Sequence, residues 1–425
     1  MSRTLVDSGI EWIGKIPSDW DIQKIKYICD YYNGVGHEGE QDFDGKYILI
    51  NSKFISTEGI VKKYTENQLF PLYSDDVCIV LSDLPNGKAL ARTFLVDCNN
   101  TYTLNQRIAV LRNSKIIPKF LSYYLNRNQF FLNFDDGSNQ TNLKKESVVN
   151  CPVLVPPEEV QKRIADYLDS KCSKIDQVIE DNNKAIELLE EYRKSRINDV
   201  VALGLKKETK LKETGIKFFK KIPSHWQVKK LKYIVDSFSK GNGITKDEVF
   251  ADGDIQCVRY GEIYSKYNNS FIKSVSRTFV DRINSPKYID KGDILCAATG
   301  ELVEEIGKNI VYLGNESCIV GGDIIIIKHS QNPRYLNYLL NSSLSQEQKS
   351  EGKAKLKVVH IYASEMSNII LPLPPIDEQN EIADYLDKMC SNVNKVIEYR
   401  KKIIEKLEEY KKSLIYEVVT GKKEV

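Results

Sequence analysis

Two short loops, one in each half of the chain, carry residue types that contact phosphates and base edges. They read DDGSNQTNLKKES at 135–147 and EGKAKLKVVH at 351–360, and each follows a stretch with a helical apolar pattern. Lysine neutralises phosphate, Asn and Gln can hydrogen-bond adenine, and Arg or Lys can hydrogen-bond guanine. A single basic loop is usually only solvated. Because such a loop recurs at the same place in both halves, we give a nucleic-acid contact the same weight as a loop that is only solvated.

Further residues of the same chemistry lie in GKALAR (87–92), in NQR (105–107) and at single positions of the second half. The full set of residues predicted to contact nucleic acid is Lys88, Arg92, Gln106, Arg107, Ser138, Asn139, Gln140, Asn142, Lys144, Lys145, Arg259, Lys308, Lys353, Lys355 and Lys357.

Motifs for catalysis are missing from the sequence. There is no GxxxxGK[ST] phosphate loop, and GVGHEG (34–39) lacks a convincing flanking strand and helix, so we interpret it as a turn. The four histidines are not spaced for a metal, and the nine cysteines form no CxxC pair, which favours reduced, buried thiols. We therefore expect neither a catalytic centre nor a metal site.

The elements that position the loops form an internal repeat with two matching blocks. SGIEWIGKIPSDWDIQKIKYICD (8–30) matches TGIKFFKKIPSHWQVKKLKYIVD (214–236) at 12 of 23 positions. The segments that begin at Pro156 and Pro374 match at 25 of 45 positions, and both contain IADYLD. The stretches between the blocks, 31–155 and 237–373, barely align. Shared frames around different inserts are typical of paired recognition modules, with neutral drift after duplication as the plainer alternative.

Each Pro-Pro pair precedes a long stretch without proline or glycine, predicted as a helix from about Glu158 to Leu203 and from about Asp377 to Thr420. The apolar spacing of three, four and seven predicts an antiparallel coiled coil between the two copies, with pseudo-twofold symmetry and a rod of roughly 50 Å. The predicted seam residues are Ile164, Leu168, Ile175, Ile179, Ile186 and Leu189 in the first helix and Ile382, Leu386, Val393, Ile397, Ile404, Leu407 and Leu414 in the second.

The inserts read as mixed α/β domains. Short apolar runs such as KYILIN, VCIVLS and QRIAVLR predict strands, whereas 117–134 and 332–350 each predict a helix. The fold class is therefore α+β, with two mixed α/β domains in tandem joined by the two long helices.

The composition fits a soluble globular chain. Of its 425 residues, 41% are hydrophobic and 28% charged, and the net charge of +2 means that a polyanion must be met by local patches. No apolar run approaches a membrane span, and the N-terminus lacks a secretory pattern, so we expect a cytoplasmic protein.

With these residues in view, the chain resembles the specificity subunit of type I restriction-modification enzymes. The resemblance rests on GIEWIGKIPSDW and GIKFFKKIPSHW, on PPEEVQKRIADYLD and PPIDEQNEIADYLD, and on GDILCAATGELVEEIGKN, ESCIVGGDIIIIK and TLNQRIAVLR. One departure is Val160, where the second copy has Glu378; we interpret it as drift.

The resemblance implies a first target recognition domain (1–155), a central conserved helix (156–205), a second target recognition domain (206–373) and a C-terminal conserved helix (374–425). Each domain would read one half of a bipartite sequence in double-stranded DNA, and the coiled coil would set the spacer. The subunit itself would perform no chemistry. Its partners would be two modification subunits, which use S-adenosylmethionine, and restriction subunits, which use ATP and Mg.

Two other classes of function stay open. A coiled-coil adaptor whose inserts bind proteins would show no DNA binding in a gel-shift assay with its partner present. An enzyme that acts on nucleic acid alone is disfavoured by the missing motifs, and cleavage or methylation by the isolated chain would revive it.

Overall fold

The computed structural model describes residues 4–39, 44–83, 88–135, 137, 140–206, 208–300, 302–353 and 359–425. The chain divides into unit one, Met1–Asn182 with Lys401–Val425, and unit two, Asn183–Arg400. Each unit thus contains part of both long helices.

The elements of unit one are short apart from the first long helix, α6, which begins there. Its strands are β1 (Leu5–Asp7), β2 (Lys15–Pro17), β3 (Asp21–Lys24), β4 (Asp30–Asn33), β5 (Tyr47–Ile50), β6 (Tyr64–Thr65), β7 (Val77–Val80), β8 (Ser82–Asp83), β9 (Thr93–Leu95), β10 (Tyr102–Leu104), β11 (Ile108–Arg112), β12 (Thr141–Asn142) and β13 (Pro152–Val155). Its helices are α1 (Ile25–Ile28), α2 (Ser52–Ser56), α3 (Pro118–Leu125), α4 (Gln129–Leu132), α5 (Lys145–Val149) and α6 (Glu158–Leu203).

Unit two repeats this pattern and begins the second long helix, α11. Its strands are β14 (Leu211–Ile216), β15 (Phe219–Pro223), β16 (Gln227–Lys230), β17 (Val235–Lys240), β18 (Ile255–Val258), β19 (Ser270–Phe271), β20 (Ser276–Thr278), β21 (Tyr288–Ile289), β22 (Ile294–Ala297), β23 (Thr299–Gly300), β24 (Asn309–Tyr312), β25 (Cys318–Val320), β26 (Ile324–His329), β27 (Val359–His360) and β28 (Ile370–Leu373). Its helices are α7 (Tyr260–Ser265), α8 (Pro333–Asn341), α9 (Ser343–Ser350), α10 (Ala363–Ser367) and α11 (Ile376–Val419). Single 3₁₀ turns occupy Leu231–Tyr233, Lys246–Glu248, Val280–Arg282 and Val303–Glu305.

In each unit the first repeated block pairs with the strand that ends the insert. Strand β3, from the first block, runs antiparallel to β13, which directly precedes the first Pro-Pro. Strands β16 and β28 pair in the same way in unit two. The frame therefore closes around the insert, since the insert begins and ends at the same two-stranded ribbon.

The inserts share a strand order although their sequences barely align. Unit one has sheets β4-β11-β7-β9 and β10-β5-β6, and unit two has β17-β26-β22-β24-β19 and β20-β18-β25-β21. In both, the second sheet contains one parallel pair, β5 with β10 and β18 with β25. The predicted mixed α/β domains are confirmed.

Central strands are apolar on both faces because a core lies on each side. In β26, Ile325 and Ile327 pack into the core that contains the long helices, whereas Ile324 and Ile326 pack into the core beneath the second sheet. Strand β7 alternates in the same way in unit one. Such doubly buried strands read as continuous apolar runs.

Each helix predicted within an insert is split in two, so that prediction was wrong in detail. In unit one the break falls at Arg127, whose φ is 56°, and Asn128 then caps α4 by accepting from the Phe130 amide. In unit two the break falls at Ser342, whose extended backbone separates α8 from α9. A left-handed or extended residue ends the helical hydrogen-bond series.

The long helices pair antiparallel. In unit two, Arg193 donates to Asn394 Oδ1. Arg196, about one turn later on α6, donates to Tyr385, which comes earlier on α11, so the two helices run in opposite directions. In unit one, Lys411 Nζ lies 2.6 Å from Asp176 Oδ1. Adding the repeat offset of 218 to Asp176 gives Asn394, and adding it to Arg193 gives Lys411. The contact in unit one is therefore the repeat of the contact in unit two, with the two helices exchanged.

The seam residues predicted from the sequence are all buried or half-buried, and several of them belong to the cores that the long helices form with the inserts. Ile164, Leu168, Ile175, Ile186, Ile382, Leu386, Val393, Ile397 and Leu414 are buried, and Ile179, Leu189, Ile404 and Leu407 are half-buried. No described helix is long and apolar enough to cross a membrane.

Equivalent contacts anchor each insert to its long helix. Gln161 Oε1 accepts from the Ile117 amide, and Gln379 Oε1 accepts from the Asn332 amide, both at the start of an insert helix. About two turns later on α6, Asp169 accepts from Tyr123. Asp387 accepts in the same way from Tyr338. The helices therefore fix the orientation of the insert helices, as well as pairing with each other.

The exchange of Glu378 for Val160 has a structural consequence. Glu378 Oε2 accepts from the Trp226 indole at 2.8 Å, and Glu378 Oε1 lies 2.5 Å from His225 Nε2. Valine cannot accept a hydrogen bond, so Val160 cannot repeat these two contacts of Glu378 in unit one.

Candidate nucleic-acid interface

Three predicted loops meet at strand β8 in unit one. Strand β12 pairs with β8, which brings Asn142 opposite Ser82. Leu81 donates its amide to the Arg107 carbonyl at 3.0 Å and accepts from the Leu143 amide at 2.7 Å. We call this meeting point, residues 81–83 with 105–107 and 140–145, the β8 junction. Loops that are separate in the sequence become one surface here.

Amide side chains of the β8 junction are partly engaged within it. Gln140 Nε2 donates to Ser82 Oγ at 2.6 Å, and Asn142 Nδ2 donates to the Gln140 carbonyl at 3.3 Å. Gln106 Nε2 donates to Glu38 Oε1 at 3.3 Å, within the GVGHEG turn. All three amides remain exposed, so each still has donors or acceptors facing solvent.

Exposed cations lie within the β8 junction and in the loop that follows β8. Lys88, Arg107 and Lys144 are exposed, and none of them forms an ion pair within the described part of the chain. Lys145 Nζ lies over the ring of Tyr31 at 5.6 Å. The β8 junction therefore combines unpaired positive charge with amides, the mixture that suits phosphates and base edges.

The loop of Lys88 is held by β8 as well. Asp83 Oδ2 accepts from the Ala89 amide at 2.6 Å, and Arg92 Nε donates to the Lys88 carbonyl at 2.8 Å. Arg92 is half-buried and lies 3.7 Å from Glu58, so part of its charge is already offset.

Sequence reasoning missed Arg127, which lies beside this loop. Its amide donates to the Ala91 carbonyl, and its guanidinium donates to the Leu90 carbonyl at 3.2 Å. Burial lowers the pKa of Arg127, and the neighbouring Arg92 lowers it further. The acidic neighbours Asp83 and Asp135 act in the opposite direction, so Arg127 is part of a charged cluster beside this loop. The signal in the sequence was NRN, the polar break between two apolar helical stretches.

Four of the predicted residues cannot be placed. Ser138, Asn139, Lys355 and Lys357 lie outside the residues that the structure describes.

Two predicted lysines of unit two are engaged with their own fold. Lys308 Nζ donates to the Tyr264 and Tyr267 carbonyls at 3.3 and 3.2 Å, and burial lowers its pKa. Lys353 Nζ lies 2.8 Å from the His360 carbonyl and 2.6 Å from Glu365, and its side chain is 13% exposed. These contacts favour structural roles for both lysines.

Arg259 lines an open groove of about 720 Å³ in unit two, together with Ile244, Thr245, Lys246, Tyr260, Gly261, Glu262, Ser265, Lys266, Val275 and Ser276. Arg259 follows β18 directly and begins α7. Lys246 and Lys266 are exposed at the same groove, and neither was predicted. The only acidic residue in the lining is Glu262, which is paired with Arg259 at 2.9 Å. The groove is therefore net positive.

Asn51 is the counterpart of Arg259 in unit one. It follows β5, the strand equivalent to β18, and caps α2 by accepting from the Phe54 amide. The Asn105 amide donates to Ile50, as the Gly321 amide donates to Val258. The sequence could not reveal this match, because the inserts align only through their strand order.

Among the described residues, no group of three or more His, Cys, Asp and Glu side chains is arranged to hold a metal ion.

Comparison with known proteins gives a consistent result. A family model for the type I restriction modification DNA specificity domain matches residues 17–188 and 223–409. The MjaVIII specificity subunit of Methanocaldococcus jannaschii is 24% identical over 419 residues, covering 96% of this chain and 94% of that protein. The StySPI specificity subunit of Salmonella potsdam is 22% identical, covering 89% and 86%.

Solved structures share the fold. A chain from a study of complex assembly and conformational transition in a type I R-M system superposes with a TM-score of 0.69 at 16% identity, covering 95% of this chain and 98% of that one. The HsdS subunit of Thermoanaerobacter tengcongensis gives a TM-score of 0.51 at 16% identity, covering 96% and 98%. Because the family model matches both halves of the repeat and most of the chain, this protein belongs to the type I restriction-modification specificity subunits.

Proposed function

We propose that this chain recognises a bipartite DNA sequence, that each unit reads one half of it, and that the paired helices fix the gap between the halves. The observation that carries the proposal is the repeated strand order with different polar residues at matching places, Asn51 in one unit and Arg259 in the other. A shared scaffold with different hydrogen-bonding groups suits two modules that read different bases.

The long helices support the spacer role because they are continuous and closely paired. Helix α6 has 46 residues and α11 has 44. At 1.5 Å per residue each is about 65 to 70 Å long, comparable to about two turns of duplex DNA.

We propose that the chain performs no chemistry and recruits two modification subunits, with restriction subunits completing the assembly. On this view S-adenosylmethionine, ATP and Mg are bound by the partners. Matching exposed apolar residues on the helices support two equivalent docking places. Val178 and Val396 are 45% and 42% exposed, and they are related by the repeat offset. Tyr192 and Tyr410 are 49% and 51% exposed and are related in the same way.

The helix register places one Val and one Tyr within a turn of each other in each unit. Asp176 meets Lys411 in unit one, so Val178 lies near Tyr410. By the same offset, Val396 lies near Tyr192 in unit two. Exposed apolar residues kept in both copies suit contact with a partner.

Exchange of the first insert tests the reading function. Residues 31–155 are replaced by the insert of a related subunit, and DNA bound by the complex with its modification subunit is selected from a random pool and sequenced. We expect one half of the selected sequence to change and the other half and the gap to persist. Change in both halves, or in neither, would refute the modular reading.

Recruitment is tested separately. Tyr192→Ser with Tyr410→Ser should weaken co-purification of the modification subunit, whereas Lys184→Ser on the same helix should not. A gel shift with the purified complex distinguishes this proposal from the protein-binding adaptor, for which no DNA shift is expected.

A further inference from the structure

We propose that Arg259 reads a guanine in the half-site contacted by unit two, and that Glu262 and Ser276 hold its guanidinium in the reading position. This inference rests on the proposed function and deepens it, because it assigns one base to one side chain.

The guanidinium is fixed on one edge by a buried carboxylate. Glu262 is 5% exposed, and its Oε1 accepts from Arg259 Nε at 3.1 Å and from Nη2 at 2.9 Å. Ser276 Oγ donates to the same oxygen at 2.6 Å. The other oxygen, Oε2, accepts from the Arg259 amide at 3.1 Å. Backbone and side chain of Arg259 are thus tied to one anchored group.

The opposite edge of the guanidinium remains for a ligand. Arginine has five N–H donors in a rigid plane, and Glu262 takes two of them. The other three lie on Nη1 and Nη2, so the Nη edge presents two parallel donors. Guanine offers two adjacent acceptors, O6 and N7, on its major-groove edge, and this is the best geometric match among the bases.

The groove favours a nucleic-acid ligand over a small acid. The side chain of Arg259 is 27% exposed at the groove wall. Lys246 and Lys266 also line the groove and are exposed, so they can meet phosphates near the base that Arg259 contacts. Tyr260 is 41% exposed beside Arg259. Because the groove is open to solvent, an extended nucleic acid can lie along it, whereas a small free acid would be only partly enclosed.

A glycine lies beside the long side chain in unit two. A Cβ on Gly321 would lie 3.8 Å from Arg259 Cγ, which is ordinary van der Waals contact, so the Gly321 backbone passes close to the arginine stem. In unit one the matching positions are Asn105 and Gln106, and the residue that matches Arg259 is the shorter Asn51. Unit one thus has a short amide next to two other amides, and unit two has an arginine next to two glycines at the same places. The scaffold is shared, but the group that would contact a base differs.

The test uses the full chain in complex with its modification subunit and a pool of random double-stranded DNA. The wild-type complex should select a half-site that contains a G·C pair and depends on the 237–373 insert. Arg259→Gln should lower the preference for guanine at one position by about 10- to 100-fold and leave the other half-site unchanged. Arg259→Lys keeps the charge and the stem but cannot form the two parallel bonds, so it should relax the same position.

Two further variants separate positioning from charge. Glu262→Gln should relax the same base partially, because the carboxylate no longer orients the arginine. Lys246→Gln should weaken binding to all sequences alike. Unchanged base preference in both arginine variants, or uniform loss across both half-sites, would overturn the proposal. A wild-type complex that selects no sequence would instead refute the proposed function.

Discussion

Lys349 should make the stability of unit two depend on pH in a defined direction. This lysine of α9 is 2% exposed, and its ammonium donates to the carbonyls of Gly307 and Leu340, each at 2.6 Å. Burial disfavours the charged form and lowers the pKa of Lys349 to about 8 from 10.5. The change to test is Lys349→Met, which keeps the side-chain length and removes the titrating group.

The sign follows from proton binding in the two states. Between pH 8 and 10.5 the unfolded chain holds the proton on this lysine while the folded chain releases it, so the free energy of unfolding rises with pH. The contribution is about 1 kcal/mol between pH 8 and pH 9 and about 2 kcal/mol between pH 8 and pH 10. Well below pH 8 both states are charged, and the contribution becomes constant.

Urea unfolding of the full chain measures this contribution. Trp226 is the sole tryptophan of unit two, so a background with Trp12→Phe and Trp20→Phe reports on that unit. A Cys296→Ala background removes the nearby thiol, whose pKa burial raises to about 11. The stability of the Lys349 protein relative to Lys349→Met should increase across this range. A flat difference, or one that decreases with pH, would refute the buried-charge reasoning.

Three further changes have definite expected results. Leu386→Ala, at a fully buried seam position, should lower the free energy of unfolding by about 2 to 5 kcal/mol, whereas Leu188→Ala, 65% exposed on the partner helix, should stay near wild type in the same urea titration. Deleting 183–189 together with 398–404 removes facing heptads in the observed register, about 10 Å, so the gap between half-sites should shorten by about three base pairs in a DNA selection; an unchanged gap would contradict the spacer role. Lys144→Gln should weaken DNA binding alike for all sequences and reduce the salt dependence by about one ion, and a changed base preference would argue against a phosphate contact.

The frames were the most predictable part of the molecule. Their repetition located both long helices to within about a residue, because Pro-Pro before the helix and glycine after it bound each one. Gly204 and Gly421 have φ of 76° and 72°, and they lie against Trp226 and Trp20, respectively. A left-handed residue ends a helix, and glycine adopts it without strain.

The inserts were less predictable, for physical reasons. Their common strand order depends on which strands share a core, and a buried apolar run does not specify its neighbour. The helix breaks depend on a single residue in each case, Arg127 and Ser342. Lys308 and Lys353 were predicted from the sequence as charges available to DNA, but their ammonium groups bind backbone carbonyls of unit two, those of Tyr264 and Tyr267 for Lys308 and that of His360 for Lys353. The domain boundaries at 155, 205 and 373 remain predictions from the sequence pattern.

Candidate site residues divide along the same line. Residues of the β8 junction were predicted individually from basic and amide composition, but the sequence held no sign that β8 brings them together. Arg259 was predicted for its charge alone. Glu262, which holds the guanidinium of Arg259, was missed. A single acidic residue three positions after an arginine forms no recognisable pattern, and only helix α7 brings the two side chains together.

The most direct measurement is the methylome of cells that express this chain with its modification subunit, obtained by single-molecule sequencing. The proposed function predicts one methylated motif made of two short specific parts separated by a gap of fixed length and free sequence. A continuous motif, a gap of variable length, or no methylation dependent on this chain would contradict it.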